Sequence, residues 1–228
     1  MAYKEYPILF NGEMVRAILE GQKTQTRRIG RMPILYYWPD TQTMLVKHNK
    51  FWEEAILKYP EDYAPYGIPD DRLWVRETFV LENTDEVPTD GRPYREMEEP
   101  GEFGQLLVPH YRATESEPHI VPLDLSDSYD DRTRWHPSIH MPKWASRITL
   151  EVMDVRVQRV QEITDDDAWE EGAWWWRHDD AAGPPFYVRK GYNVECFSEL
   201  WNSIYAKRGL GWDANPWIWA ISFKKLED

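Results

Sequence analysis

A short apolar stripe that stops at a glycine and runs straight into six polar residues constrains this chain more than any other feature. Asn11 is a good helix N-cap, and Met14, Val15, Ile18 and Leu19 fall on one face behind it. Gly21 stands where a helix stop needs a left-handed residue. The spacing predicts a helix over about residues 11–20, preceded by a short strand at Pro7-Ile8-Leu9-Phe10. Lys23-Thr24-Gln25-Thr26-Arg27-Arg28 then reads as extended chain. Alternation gives Thr24, Thr26 and Arg28 one face and Lys23, Gln25 and Arg27 the other. Polar residues on both faces, directly after an apolar helix, fit either a solvated edge strand or a built site.

The residue types allow nucleophilic chemistry. A threonine hydroxyl is weak until a base takes its proton, and a desolvated lysine does that once its pKa falls. Lys23 and Thr26 are three apart, so a regular strand points them oppositely. Pairing them requires Lys23 to lie in the turn after Gly21, or a bulge to intervene. Glu171 is the third candidate. Thr164-Asp165-Asp166-Asp167 is a capping signature and Gly172 a stop, which leaves Glu171 in the last turn of a short helix. A carboxylate at that negative end tends to hold its proton more tightly, but Glu170 and Glu171 could equally be solvent residues on a frayed end. His136 and His140 make only a weak ligand pair around Pro137, so neither a metal nor a cofactor is expected.

Elsewhere the pattern is mostly strand. Leu73, Val75, Glu77 and Phe79 share one face of a strand over 73–79, and the carboxylate in that apolar set is a local conflict unless the strand end reaches solvent. Leu106 to Thr114 reads as another strand. Ile148, Leu150 and Val152 alternate, then Val155 and Val157 continue on shifted parity, which predicts a bulge near Met153-Asp154. A helix over Cys196–Tyr205 and a closing strand over Trp217–Phe223 complete the outline, with one further helical piece at Phe51–Tyr59. The acidic, proline-bearing stretch 82–103 reads as an exposed loop. The expectation is a single α+β domain over 1–228, a small mixed β-barrel with short flanking helices and insertions near 31–70, 82–143 and 173–195.

Charge and composition narrow the partners. A net charge of −13 disfavours a surface that coats nucleic acid, leaving a small ligand or a local basic patch. With 13 Trp and 13 Tyr, large rings must fill the core, and a few could stack on a planar ligand. No apolar run is long enough to span a bilayer, so no membrane partner is expected. The lone Cys196 permits no internal disulfide and fits a reducing cytoplasm.

These residues resemble a known family. The order helix, Gly-x-Lys-Thr-x-Thr-x-Arg, Leu-Trp-Val-Arg, Ile-Thr-Leu-Glu-Val, Ile-Thr-x-x-x-Ala-x-x-Glu-Gly and a final Ile-x-Phe-Lys strand is similar to the ASCH family of the PUA-like superfamily. Pro7-Ile8-Leu9-Phe10, Trp74-Val75-Arg76-Glu77-Thr78, the His136-to-Arg147 segment and Gly211-Trp212-Asp213-Ala214-Asn215-Pro216 resemble the larger ASCH-like proteins of phages and prophages. The resemblance implies a PUA-like barrel. It also implies an amidohydrolase that removes the acyl group from an N4-acylated cytosine nucleoside or base, as in bacterial N4-acetylcytidine amidohydrolase. Lys23 would be the base, Thr26 the nucleophile and Glu171 the acid, with Thr24, Arg28, Trp74, Arg76, Glu77 and His140 binding substrate. A second reading is a binding module for RNA or a modified base, with Arg27, Arg28 and Arg31 on phosphate. A third is a phage accessory scaffold. The oligomeric state is left open.

Overall fold

The computed structural model describes residues 3–29, 64–101, 104–115, 135–174 and 190–227. The helical piece at 51–59, Arg31, and the tryptophans at 175 and 176 lie outside them. Among the described residues the chain is α+β, with two sheets and a few short helices.

The first sheet holds five strands. β1 (Glu5–Leu9) pairs in parallel with β3 (Arg72–Arg76), and β3 pairs antiparallel with β7 (Thr149–Arg159). Next come β8 (Trp217–Lys225) and, at the far edge, β2 (Gln25–Arg28). The second sheet is β4 (Phe79–Thr84), β6 (Gly104–Tyr111) and β5 (Arg95–Gly101), with β6 central. Helix α1 (Gly12–Leu19) joins β1 to β2. Helix α2 (Asp165–Glu170) follows β7, and α3 (Tyr192–Tyr205) precedes β8.

No hydrogen-bond ladder closes the five-stranded sheet into a barrel among the described residues. Its edge strands are linked instead by one side chain: an Arg28 Nη2 donates to Leu9 O at 2.5 Å. Beside that link Phe10 packs against Phe223 at 6.2 Å between ring centroids. The core between sheet and α1 is built from Ile8, Val15, Ile18, Leu73, Val75, Leu150 and Ile221. An eight-residue helix is marginal alone. Burying Val15 and Ile18, at about 1.5–3 kcal/mol each, is what holds α1 on the sheet.

Several expectations match. Asn11 caps α1, its side chain accepting from Met14 N at 2.8 Å. The register of β7 on β8 shifts between Val152 and Asp154, leaving Met153 as the extra, exposed residue. Thr164 caps α2 in a capping box with Asp167.

Three expectations need correction. The strand over 73–79 is broken: β3 ends at Arg76, and Phe79 opens β4 in the other sheet. Glu77, at the break, is buried and does not reach solvent; it holds Arg147 through both carboxylate oxygens. The stretch 82–103 is no simple loop, since it contains the end of β4 and the whole of β5. Arg95, Glu96 and Glu98 of β5 are all exposed, so the strand lacks the alternation that marks a half-buried one. Charged residues on such an edge also discourage pairing with other chains. Helix α3 begins at Tyr192, earlier than its apolar stripe indicates, because Gly191 turns the chain in a left-handed conformation before it.

Candidate active site

Two helix stops meet at Lys23. Gly21 (φ 73°) ends α1, and Gln22 N and Lys23 N both donate to Ala17 O, at 2.8 and 3.0 Å. Gly172 (φ 74°) ends α2, and its Cα faces the β-carbons of Ala17 and Lys23. Thr24 threads between the two layers: its N donates to Glu170 O at 2.9 Å, and its O accepts from Phe223 N at 2.8 Å. Lys23 therefore lies in the turn before β2, as a Lys23–Thr26 pairing requires.

The Lys23 side chain is buried and its three possible donors all find acceptors. Nζ donates to Glu171 O at 2.6 Å, Glu171 Oε2 at 2.8 Å and Gln25 O at 2.8 Å. A cation on the last carbonyl of a helix is favourable electrostatically. Burial nevertheless pushes the ammonium below its ordinary pKa, opposed by Glu171 and assisted by Arg28 and Arg27. Glu171 is 4% exposed, so the frayed-end alternative fails for it.

The other residues divide around this pair. Thr26 is buried, and its peptide nitrogen adjoins the Gln25 carbonyl that Lys23 holds. Its hydroxyl makes no hydrogen bond among the described residues. Arg28 lies over the Phe10 ring at 4.9 Å, and Lys23 Nζ approaches the same ring at 5.8 Å. Tyr66 adjoins Arg28; burial holds its phenol above the usual range, with Arg28 opposing. Thr24 is exposed and fixed by its backbone.

Four of the residues assigned to substrate binding make their contacts elsewhere. Arg76 lies 5.3 Å from the Trp74 ring and donates to Ile139 O, next to the exposed His140. Glu77 is clamped by Arg147 at 2.9 and 3.0 Å and, among the described residues, makes no hydrogen bond or ion pair with β2. Burial pushes the Glu77 carboxyl up, and Arg147 opposes it. Its role is to neutralise Arg147 beneath Tyr111, whose ring the guanidinium covers at 4.0 Å.

Arg27 was misread as a phosphate contact. Its side chain is fully buried, with Nη1 on Glu171 Oε1 at 3.2 Å and on Gln25 Oε1 at 2.5 Å. Nη2 lies 3.0 Å from Asp167 Oδ2. Asp167, legible in the sequence only as part of the helix cap, shares a helix face with Glu171 four residues on. For Asp167 burial favours the protonated form, but Arg27, the Gln25 side chain, the Thr164 amide and Arg156 together outweigh it and hold the carboxyl below its usual value. Among the described residues no three His, Cys, Asp or Glu side chains converge as metal ligands, and no helix is long and apolar enough to cross a membrane.

Searches against family models, curated proteins and solved structures return no match.

Proposed function

We propose that the chain is an ASCH-type amidohydrolase that removes the acyl group from an N4-acylated cytosine nucleoside or base. The observation that carries this reading is the buried Lys23–Glu171 pair, 2.8 Å apart, beside the buried Thr26. Burial that destabilises the Lys23 ammonium favours its use as a base. The Thr26 hydroxyl makes no hydrogen bond among the described residues, so in this reading it turns onto Lys23 Nζ when substrate binds.

The proton count closes. In a low-dielectric site the ion pair can pass its proton from Lys23 to Glu171, giving a neutral amine and a neutral acid. Thr26 Oγ1 attacks the acyl carbonyl while Lys23 takes its proton. The tetrahedral oxyanion is stabilised by Arg28, and its C–N bond breaks as Glu171 protonates the departing exocyclic nitrogen. This returns Lys23 and Glu171 to an ion pair. Water then attacks the acyl-threonine, Glu171 accepts its proton, and Lys23 returns one to Thr26. Tyr66, half-buried beside Arg28, offers a ring for a planar base.

The RNA-binding alternative loses support from Arg27, which is buried and paired with acidic groups. Purified full-length protein incubated with N4-acetylcytidine and longer-acyl analogues should release cytidine, read by chromatography. Folded protein that leaves every analogue intact at high enzyme concentration defeats the proposal.

A further inference from the structure

Glu171 is held from two sides. One carboxylate oxygen, Oε2, faces Lys23, and the other, Oε1, faces Arg27. Arg27 is in turn held by Asp167, one helical turn before Glu171, and by the Gln25 side-chain oxygen. We propose that Arg27, backed by Asp167, is the positioning residue of this site: it fixes the rotation of the Glu171 carboxylate and sets the local charge against which Lys23 exchanges its proton. This rests on the amidohydrolase reading of the same site.

The geometry requires such a device. A carboxylate that serves Lys23 alone can rotate about its last bond, and either oxygen could then face the amine. Pinning Oε1 with a planar guanidinium leaves Oε2 as the one oxygen that exchanges a proton with Nζ. Arginine suits this because it stays charged at any working pH. An uncompensated guanidinium in a buried site carries a large desolvation cost. Asp167 offsets that cost, and its other oxygen receives Arg156 at 3.3 Å.

The charged groups acting on Lys23 are Glu171 at the end of α2 and Arg28 and Arg27 from β2, with Asp167 and then Arg156 behind Arg27. Glu170 is bound to Gln25 at 3.2 Å. On the α3 side the Arg27 guanidinium lies over the Phe197 ring, at 5.8 Å. Removing the Arg27 charge and removing the Asp167 charge must then push the Lys23 equilibrium in opposite directions. A purely structural brace between β2 and α2 predicts lost stability from both, and no such opposition.

The test is a titration of the Lys23 side-chain nitrogen by NMR in full-length protein with labelled lysine, the resonance assigned by its loss in Lys23→Met. Arg27→Gln should raise the Lys23 midpoint, and Asp167→Asn, which acts from behind Arg27, should lower it by a smaller amount. Arg27→Lys keeps the charge but not the fork: the midpoint should stay within about half a unit of wild type, while kcat falls about tenfold or more with KM little changed. If Arg27→Gln does not fold, Asp167→Asn and Arg27→Lys carry the test. Midpoints that do not move, or that move in the same direction, overturn the inference. The titration needs no substrate, so a wild type that hydrolyses no acylcytosine sinks the proposed function and leaves the charge-setting half of this inference to be judged by the midpoints.

Discussion

Replacing Arg147 with methionine isolates a buried carboxylate that the chain cannot leave charged. Glu77 is 1% exposed, and both of its oxygens are held by Arg147. Methionine fills much of the same space without the charge. The variant then has two options: keep a buried unpaired carboxylate, at about 3–5 kcal/mol, or bind a proton. Protonation costs about 1.4 kcal/mol for each pH unit above the ordinary carboxylate value, which sets a ceiling of about 4 kcal/mol at pH 7 and about 1 kcal/mol at pH 5. In the wild type Glu77 is already pushed up by burial, so its contribution is fully present below the unfolded pKa and is lost as pH rises through the folded one. Arg147→Met pushes the folded pKa further up and extends that loss to higher pH. The expected destabilisation is about 3 kcal/mol at pH 7 and about 1 kcal/mol at pH 5. A further loss that does not vary with pH comes from the Thr114 hydrogen bond and the Tyr111 stack. Urea unfolding followed by far-ultraviolet circular dichroism at the two pH values measures both. If the gap between variant and wild type is the same at pH 5 and pH 7, Glu77 is not the buried group described here and the argument fails.

Thr26→Ala should lower acylcytidine hydrolysis by at least about a thousandfold, since the nucleophile itself is removed. Its thermal midpoint should stay close to wild type, because the hydroxyl has no partner to lose; a variant that keeps most of the activity removes Thr26 from the mechanism. Two glycine replacements should separate backbone strain from crowding. Gly21→Ala meets nothing within 4 Å and should cost about 1–2 kcal/mol from its left-handed backbone alone. Gly67→Ala adds a β-carbon 2.9 Å from that of Asp71, so denaturation should show a clearly larger loss than at Gly21. Cys196 is fully buried, and thiol reagents should label it only at the rate at which the protein opens, which rises with urea.

Much of the layout could be read from residue order. The α1 stripe, the Asn11 and Thr164 caps, the stops at Gly21 and Gly172 and the bulge at Met153 are each set by neighbours a few residues apart, and all stand where the pattern put them. The β5 edge strand was illegible because Arg95, Glu96 and Glu98 are all exposed and leave no two-residue period in the sequence. The break at Glu77 was half-legible: the sequence flagged a carboxylate among apolar residues but could not show that Arg147, far along the chain, would meet it.

The same division runs through the site. Sequence alone could name Lys23, Thr26 and Glu171 as chemically suitable and could state that Lys23 must sit in a turn. Only the tertiary structure decided that the turn bends that way, that Lys23 and Glu171 are buried 2.8 Å apart, and that Arg27 faces Glu171 and Asp167 and not a phosphate. It also drew Trp74, Arg76 and Glu77 into contacts of their own and left the sheet edges joined by Arg28 without a closed ladder. Local periodicity records which face a side chain takes; which charge it meets there depends on how separate segments pack, and burial makes that meeting energetically decisive.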